Sequence, residues 1–412
     1  MQNKTISCDC LVVGGGPAGL SAAMAAAGSG AVTVLAEYLP SPGRKLLASG
    51  SGKCNVTNRL PLEEFAHRYL CGLRFVRPAL YAFPPETWCG FLSSNGVPVI
   101  APDNFHCFPK SMRAGDVLEL LLGRCRALGV RMLTDCRIET LHLRGNAVCG
   151  ADDGKTRIEA KRIILACGGM GYPALGGHGS GYELARQAGH AVTPPVPALV
   201  GLKSAEAWAA ELPGVLLPDA TTRFGRKLKS RGELIFTHTG VSGPAVLDLS
   251  GSVAQELADR GRAVLECSWE SREAEEYRER IASWQRNSGT RSLKGLLGTT
   301  LPAAFVRALL DTEGIPVERC AAQLRAEERE RLVAALSGYP LKICGTDGWN
   351  KAMATAGGIP IAEIHAGTLA SRIAAGLYFA GEMIDVGAPC GGYNIQWAVS
   401  SGRLAGLSAA RR

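Results

Sequence analysis

Apolar positions fall into a few short continuous runs rather than long amphipathic stretches, and glycines punctuate them. Near the amino terminus, "CDCLVVGGGPAGLSAAMAAAGSGAVTVLAE" holds one such run at Cys8–Val13 and a second at Ala31–Ala36. An alanine-rich segment with helical spacing lies between them. Continuous apolar runs of this length, bounded by turn residues, predict buried strands of a parallel sheet. Residues 11–36 carry no charge and are long enough to cross a bilayer. Their centre, "GGGPAGL", breaks the run into strand, turn, helix and strand, so no membrane span is expected.

Further along, "GVRMLTDCRIETLHLRGNAVCGADDGKTRIEAKRIILACGG" alternates apolar and polar positions between turns, the pattern of a β-meander returning to the sheet. Pro194, Pro195 and Pro197 mark a crossing into a different pattern. That segment begins strand-rich, while residues 270–335 are charged and helix-periodic, broken into short helices by Gly and Pro. The sheet pattern resumes after "WNKAMATAGG", with a strand at Leu377–Ala380 and a helix from about Asn394. The predicted organisation is therefore residues 1–193 as the first part of one α/β domain, 194–349 as a β-rich insertion with a helical subdomain at about 270–335, and 350–412 as the return. Residues 41–58, "SPGRKLLASGSGKCNVTN", show no apolar period and read as a loop built to hold something.

Composition sharpens this picture. A length of 412 residues implies two or three domains. Glycine at 51 residues implies many tight turns or close approaches to a ligand. The net charge of +8 is modest, and the only basic run, "RFGRKLKSR" (223–231), reads as a solvated hairpin, so no nucleic-acid partner is expected. Fourteen cysteines without a C-x-x-C pair or zinc spacing imply reduced thiols in a cytoplasm and no metal.

The chemistry starts at Gly14-x-Gly16-x-x-Gly19, directly after a strand and opening a helix. Gly14 makes the turn, Gly16 admits a pyrophosphate beside Pro17 and Ala18, and Gly19 allows helix and strand to pack closely. The helix start offers free N–H groups to phosphate. Glu37, eighteen residues past Gly19, is placed to accept from ribose hydroxyls and would repel a 2′-phosphate, disfavouring NADP there. The carboxy-terminal "AGLYFAGEMIDVGAPCGGYNIQWAVSSGRLAG" selects FAD over NAD: an acidic turn at Gly381, Glu382 and Asp385 precedes a Gly-Gly loop and a helix start at Asn394 and Ile395 suited to an isoalloxazine edge.

Five motifs together, "VVGGGPAGL", "GRKLLASGSGKCNVTN", "GELIFTHTGVSGPAVL", "ATAGGI" and "GLYFAGEMIDVGAPCGGYNIQWA", resemble the aminoacetone-oxidase/BaiN-like family of FAD-dependent oxidoreductases. The resemblance runs in order along nearly the whole chain. It implies a glutathione-reductase-type FAD domain with an inserted β-rich domain and a small helical subdomain. It also implies that Arg44, Lys45 and Asn55 lie along the cofactor, and that backbone at Arg137 and Ile138 meets the adenine. Lys53, Cys167, Gly387 and Cys390 depart from the family pattern. Implied activities are reduction of conjugated double bonds in a 3-oxo bile-acid or steroid intermediate, an apolar ketone, and, alternatively, oxidation of aminoacetone by dioxygen. A tRNA-modifying flavoprotein is the reading from another class.

Candidate proton donors are Tyr172 in a glycine-rich flap, Tyr393 in "CGGYN" and His238 at a strand-to-turn junction. Cys54 reads as a packing residue. No second strand-coupled G-x-G-x-x-G is present, so NAD(P)H, if it is the hydride donor, is expected to dock only transiently. The substrate cleft is expected between the FAD domain and the insertion.

Overall fold

The structure, a computed structural model, describes residues 4–411. Two compact units share the chain: one comprises the segment up to Pro195 together with Ala354 onward, the other Val196–Met353.

The first unit is built on a seven-stranded sheet. Arg131–Leu133, Thr33–Ala36, Lys4–Val13 and Thr156–Leu165 lie side by side and parallel, with Leu377–Phe379 parallel on the far edge of Thr156–Leu165. The meander Thr140–Arg144 and Ala147–Asp152 adds antiparallel strands, as its alternation predicts. Leu11, Val12, Leu35, Ile163, Ile164 and Leu165 are fully or almost fully buried, because both sheet faces are covered. Five parallel strands end level with one another. Gly14 donates its N–H to Ala36 O, Glu37 to Leu133 O, Ala166 to Val13 O and Ala380 to Leu165 O. In open α/β sheets this carboxyl edge is where ligands bind.

The first helix, Pro17–Gly28, is rich in alanine because another helix lies directly on it. A Cβ added at Gly402 would stand 2.1 Å from Ala18 O, and one at Gly406 2.2 Å from Ala22 O. The last helix, Tyr393–Ala410, therefore runs parallel to the first in close backbone contact. The second strand begins at Thr33 rather than Ala31. Residues 41–58 are not wholly loop: Arg44–Ala48 forms one helical turn anchored by buried Leu46, followed by a 3-10 turn at Ser49–Gly52. A single turn is too short for a 3.6-residue period to appear in the sequence.

The second unit is a closed antiparallel barrel. Its strands run Leu202–Ser204, Gly240–Ser242, Leu228–Thr237, Leu216–Phe224, Ala263–Ser268 and Tyr339–Thr346 around the ring. Trp208, Phe236, Trp269, Phe305 and Tyr339 pack together in its core. Helices Ala274–Asn287, Leu293–Leu297, Ala303–Thr312 and Ala326–Ser337 supply the helical portion. The α/β fold class with a β-rich insertion and helical subdomain is thus the one observed. Among the described residues no helix is long and apolar enough to cross a membrane.

Candidate dinucleotide site

The glycine turn after the first strand is shaped by two different exclusions. Gly14 has φ +106°, and a Cβ there would meet Ala166 O at 2.4 Å; at Gly19 it would meet Gly14 O at 1.8 Å. Both glycines are fixed by the protein's own packing. At Gly16 a Cβ would meet nothing within 4 Å, so its lack of a side chain leaves open space over the helix start. Gly16 is the N-cap of the first helix, which has no side-chain cap and no acid in its first turn. Free amides facing that space fit a pyrophosphate. Ala18 lies under the turn at Gly381, whose added Cβ would stand 2.7 Å from Ala18 Cβ.

Glu37 is buried, and its carboxylate is fixed by the backbone: Gly15 N–H donates to Oε2 at 2.6 Å and Leu39 N–H to Oε1 at 2.8 Å. Each oxygen keeps a lone pair for a ribose hydroxyl. Lys45 donates to both oxygens of Glu382, at 2.8 and 3.0 Å, joining the short helix after the second strand to the turn after the last one. Arg44 bonds Ser41 Oγ through Nε at 3.3 Å. Asp385 accepts from Gly357 N–H at 3.2 Å, and burial pushes its carboxyl pKa up. Met170 N–H donates to Thr355 Oγ1 at 2.8 Å, seating the loop after Leu165 on the returning strand Ala354–Gly358.

The parallel register of the two helices sets the length of the site. Tyr393 precedes Gly402 by nine residues, so at 1.5 Å per residue the last helix begins about 13 Å beyond Ala18. Its start, like that of the first, has no side-chain cap and no acid in its first turn. One dinucleotide can span both. This far end is assembled from three separate stretches. With its amide assigned so that the nitrogen faces the two carbonyls, Asn55 donates to Thr57 O at 2.7 Å and Cys107 O at 3.1 Å and accepts from Gly392 N–H at 3.2 Å. Asn58 Nδ2 donates to Gly391 O at 2.9 Å. Ser51 and Cys54 hold positive φ in the connecting turn, local strain of the kind found at ligand clamps. Cys54 is fully buried with its thiol pKa raised to about 11 by burial, the behaviour of a packing residue.

The expected site residues thus divide. Gly14, Gly16, Pro17, Ala18, Gly19, Glu37, Lys45, Gly381 and Glu382 are brought together along the carboxyl edge. Asn55, Asn394 and half-buried Ile395 belong to the far end; Asn394 Nδ2 bonds Pro389 O at 3.4 Å. Arg137 is exposed and faces Glu139 at 3.9 Å, while Ile138 points into the core. Tyr393 is a core residue: its ring packs on Phe65 at 4.6 Å, and its backbone carbonyl accepts from Tyr69. Tyr172 is half-buried with φ +54° in the loop before Pro173. His238 is exposed at the turn between Leu228–Thr237 and Gly240–Ser242 of the second unit.

One polar pair escaped the sequence reading. His106 Nδ1 lies 2.6 Å from Asp103 Oδ2, and a Cβ added at Gly391 would stand 3.5 Å from its Nε2. The motif D-x-x-H at a turn is visible in "APDNFHCFP" but carries little signal until the fold sets it beside residue 391.

Fold and site together define an FAD-dependent oxidoreductase, with a Rossmann cradle at one end and a second helix start at the other. Residues 8–408 match the model of the HI0933-like protein Rossmann domain, and the chain belongs to that family. It is 34% identical over 97% of its length to the 3-dehydro-bile acid delta(4,6)-reductase of Clostridium scindens, covering 98% of that protein. It is 30% identical to the ribosomal RNA dihydrouridine synthase of Escherichia coli, over 95% of this chain and 96% of that one. Among solved structures, the 3-ketosteroid delta1-dehydrogenase of Sterolibacterium denitrificans aligns with a TM-score of 0.54 at 13% identity, over 98% of this chain and 99% of that one.

Proposed function

We propose that this flavoenzyme reduces a carbon–carbon double bond conjugated to a carbonyl, with a 3-oxo-Δ4,6 steroid or bile-acid intermediate as substrate. The likeness to the Clostridium scindens reductase, end to end at 34% identity, carries this reading. FAD, when bound, supplies the two-electron chemistry. Gly16 and the first helix start would hold its pyrophosphate, Glu37 its adenosine ribose, the Lys45–Glu382 pair its central portion, and the Gly391–Gly392 turn its flavin end. The residues around that end orient a flat ketone, keep water away and steady charge on the carbonyl oxygen; Tyr172 or water protonates the α-carbon. The second unit is a closed antiparallel barrel, which has no parallel crossover for a second nucleotide, so NAD(P)H would dock transiently as reductant.

The Escherichia coli likeness favours a second reading. A uracil ring also carries a double bond conjugated to a carbonyl, so the chemistry would be shared and only recognition would differ. At the tip of the Leu216–Phe224/Leu228–Thr237 hairpin, Arg226, Lys227 and Lys229 are exposed, while Arg223 and Arg231 are paired with Glu266, Glu273 and Asp219. Three cations make a small footprint for RNA. Incubating the reduced protein anaerobically with a 3-oxo-4,6-diene steroid and, separately, with unmodified ribosomal RNA distinguishes the two by which product gains two hydrogens in mass. Peroxide release from aminoacetone under air, with neither reduction, would favour the amine-oxidase alternative and overturn both.

A further inference from the structure

We propose that His106, held by Asp103, is the group that binds the substrate's carbonyl oxygen during reduction. This rests on the conjugated-carbonyl reading above. The pair is built, not incidental. Asp103 Oδ1 accepts from Phe105 N–H at 3.0 Å and His106 N–H at 2.8 Å, so the carboxylate is fixed by its own turn. Its other oxygen meets His106 Nδ1 at 2.6 Å. The imidazole and these N–H groups hold the Asp103 carboxyl down to about 2, so it stays an anion and Nδ1 is the donor of that bond. The ring is thereby held with its Nε2 edge beside Gly391, where an added Cβ would lie 3.5 Å from Nε2.

Placement supports the role. His106 sits on the strand His106–Pro109, whose neighbour Cys107 anchors Asn55, and Asn58 and His106 approach Gly391 together. Gly391 lies two residues before the last helix, at the end of the site furthest from Gly16. The His106 side chain is 38% exposed, so a ligand can reach it, unlike the buried ring of Tyr393.

The step balances as follows. With FAD bound and reduced, a hydride from it would form the C–H bond at the β-carbon, and the π pair of the double bond would shift toward the carbonyl oxygen. Because Nδ1–H is held by Asp103, Nε2 carries a proton only in the imidazolium form, and it is from the Nε2–H of that form that the enolate oxygen accepts a hydrogen bond. A proton from water then bonds to the α-carbon as the carbonyl re-forms, leaving hydroxide to solvent. The donor is worth most where charge develops, so its loss should be felt chiefly in the reductive step.

The test uses the FAD-loaded protein with His106→Gln and Asp103→Asn variants. Reduced with dithionite and mixed anaerobically with a 3-oxo-4,6-diene steroid, His106→Gln should re-oxidise its flavin about 10²–10³-fold more slowly than wild type. Asp103→Asn should show a smaller loss, because the ring remains but its orienting anion is gone. FAD content and melting temperature should match wild type in both. Independently, the oxidised protein should bind p-chlorophenol, a mimic of the enolate oxygen, at least about tenfold more weakly in His106→Gln, read from the flavin spectrum. If the wild-type flavin ignores the dienone, the steroid reading fails, and phenol binding still decides on His106. Equal phenol affinity in wild type and His106→Gln overturns the inference, as does equal re-oxidation by an active substrate.

Discussion

The two ends of the dinucleotide site are built in opposite ways. At the Gly16 end, the turn, the helix start and the glycines that permit them lie within six consecutive residues, and Glu37 follows one strand later. At the Gly391 end, Asn55, Asn58, Asp103, His106 and Gly392 come from three stretches, the first and last more than 330 residues apart and joined by side-chain hydrogen bonds to backbone. The first end is a local backbone device that any sequence with the same spacing can form. The second exists only once the sheet and both helices are assembled. On the proposed reading, binding rests on the local geometry of a turn, and the chemistry on a composite surface assembled from distant stretches.

The largest effect should come from Gly19→Val. Its side chain would be driven into Gly14 O, and the overpacking should cost about 3 kcal/mol, read as a lower unfolding midpoint in urea. Gly16→Val is the sharper contrast. Its side chain enters open space, so stability without cofactor should stay within about 1 kcal/mol of wild type while the purified protein is colourless. A yellow Gly16→Val protein would mean that the pyrophosphate does not lie there.

Next in size is Asn55→Ala, which removes three hydrogen bonds that tie the Thr57 and Cys107 backbone to Gly392. It should cost about 1–3 kcal/mol and shift the flavin absorbance without emptying the site. Loss of FAD instead would show that the far end also governs affinity.

Legibility follows the same divide. Gly14, Gly16, Gly19 and Glu37 announce themselves because their roles depend on spacing along one strand–turn–helix unit. The carboxy-terminal acids were visible for the same reason, although the structure pairs Glu382 with Lys45, a contact no spacing encodes. Tyr393 read as a proton donor from its place beside two glycines, whereas its ring completes the Phe65–Tyr69 core. His106 was overlooked because a lone histidine gains meaning only from its neighbours in space. The helical turn at Arg44–Ala48 was invisible because a single buried leucine makes no period.

A smaller effect should appear with pH. His190 is buried, with Nδ1 2.8 Å from Glu363 and Nε2 2.6 Å from Ser371 Oγ. Burial lowers its pKa below 6.5 despite the carboxylate, so the fold favours the neutral ring. Its contribution is present above the unfolded value and is lost as pH falls through the folded one. Urea unfolding should show stability decreasing as pH falls below about 6.5, with a shallower slope in His190→Gln. An unchanged slope would assign that dependence to carboxylates elsewhere.

The smallest change expected in the cofactor-free protein is Lys45→Ala. The pair with Glu382 is partly exposed, so its loss should cost no more than about 1 kcal/mol. FAD should nevertheless bind more weakly, with less dependence on salt, since a cation beside the cofactor's path is gone. Unaltered FAD affinity would make the pair purely structural.

The most direct test of the account is a crystal structure of the protein with FAD bound. The pyrophosphate should lie over Gly16 against the free amides of the first helix, with the ribose on Glu37. The isoalloxazine should reach the Gly391–Gly392 turn beside His106. A cofactor bound in the reverse direction, or with its flavin remote from residues 391–393, would contradict it.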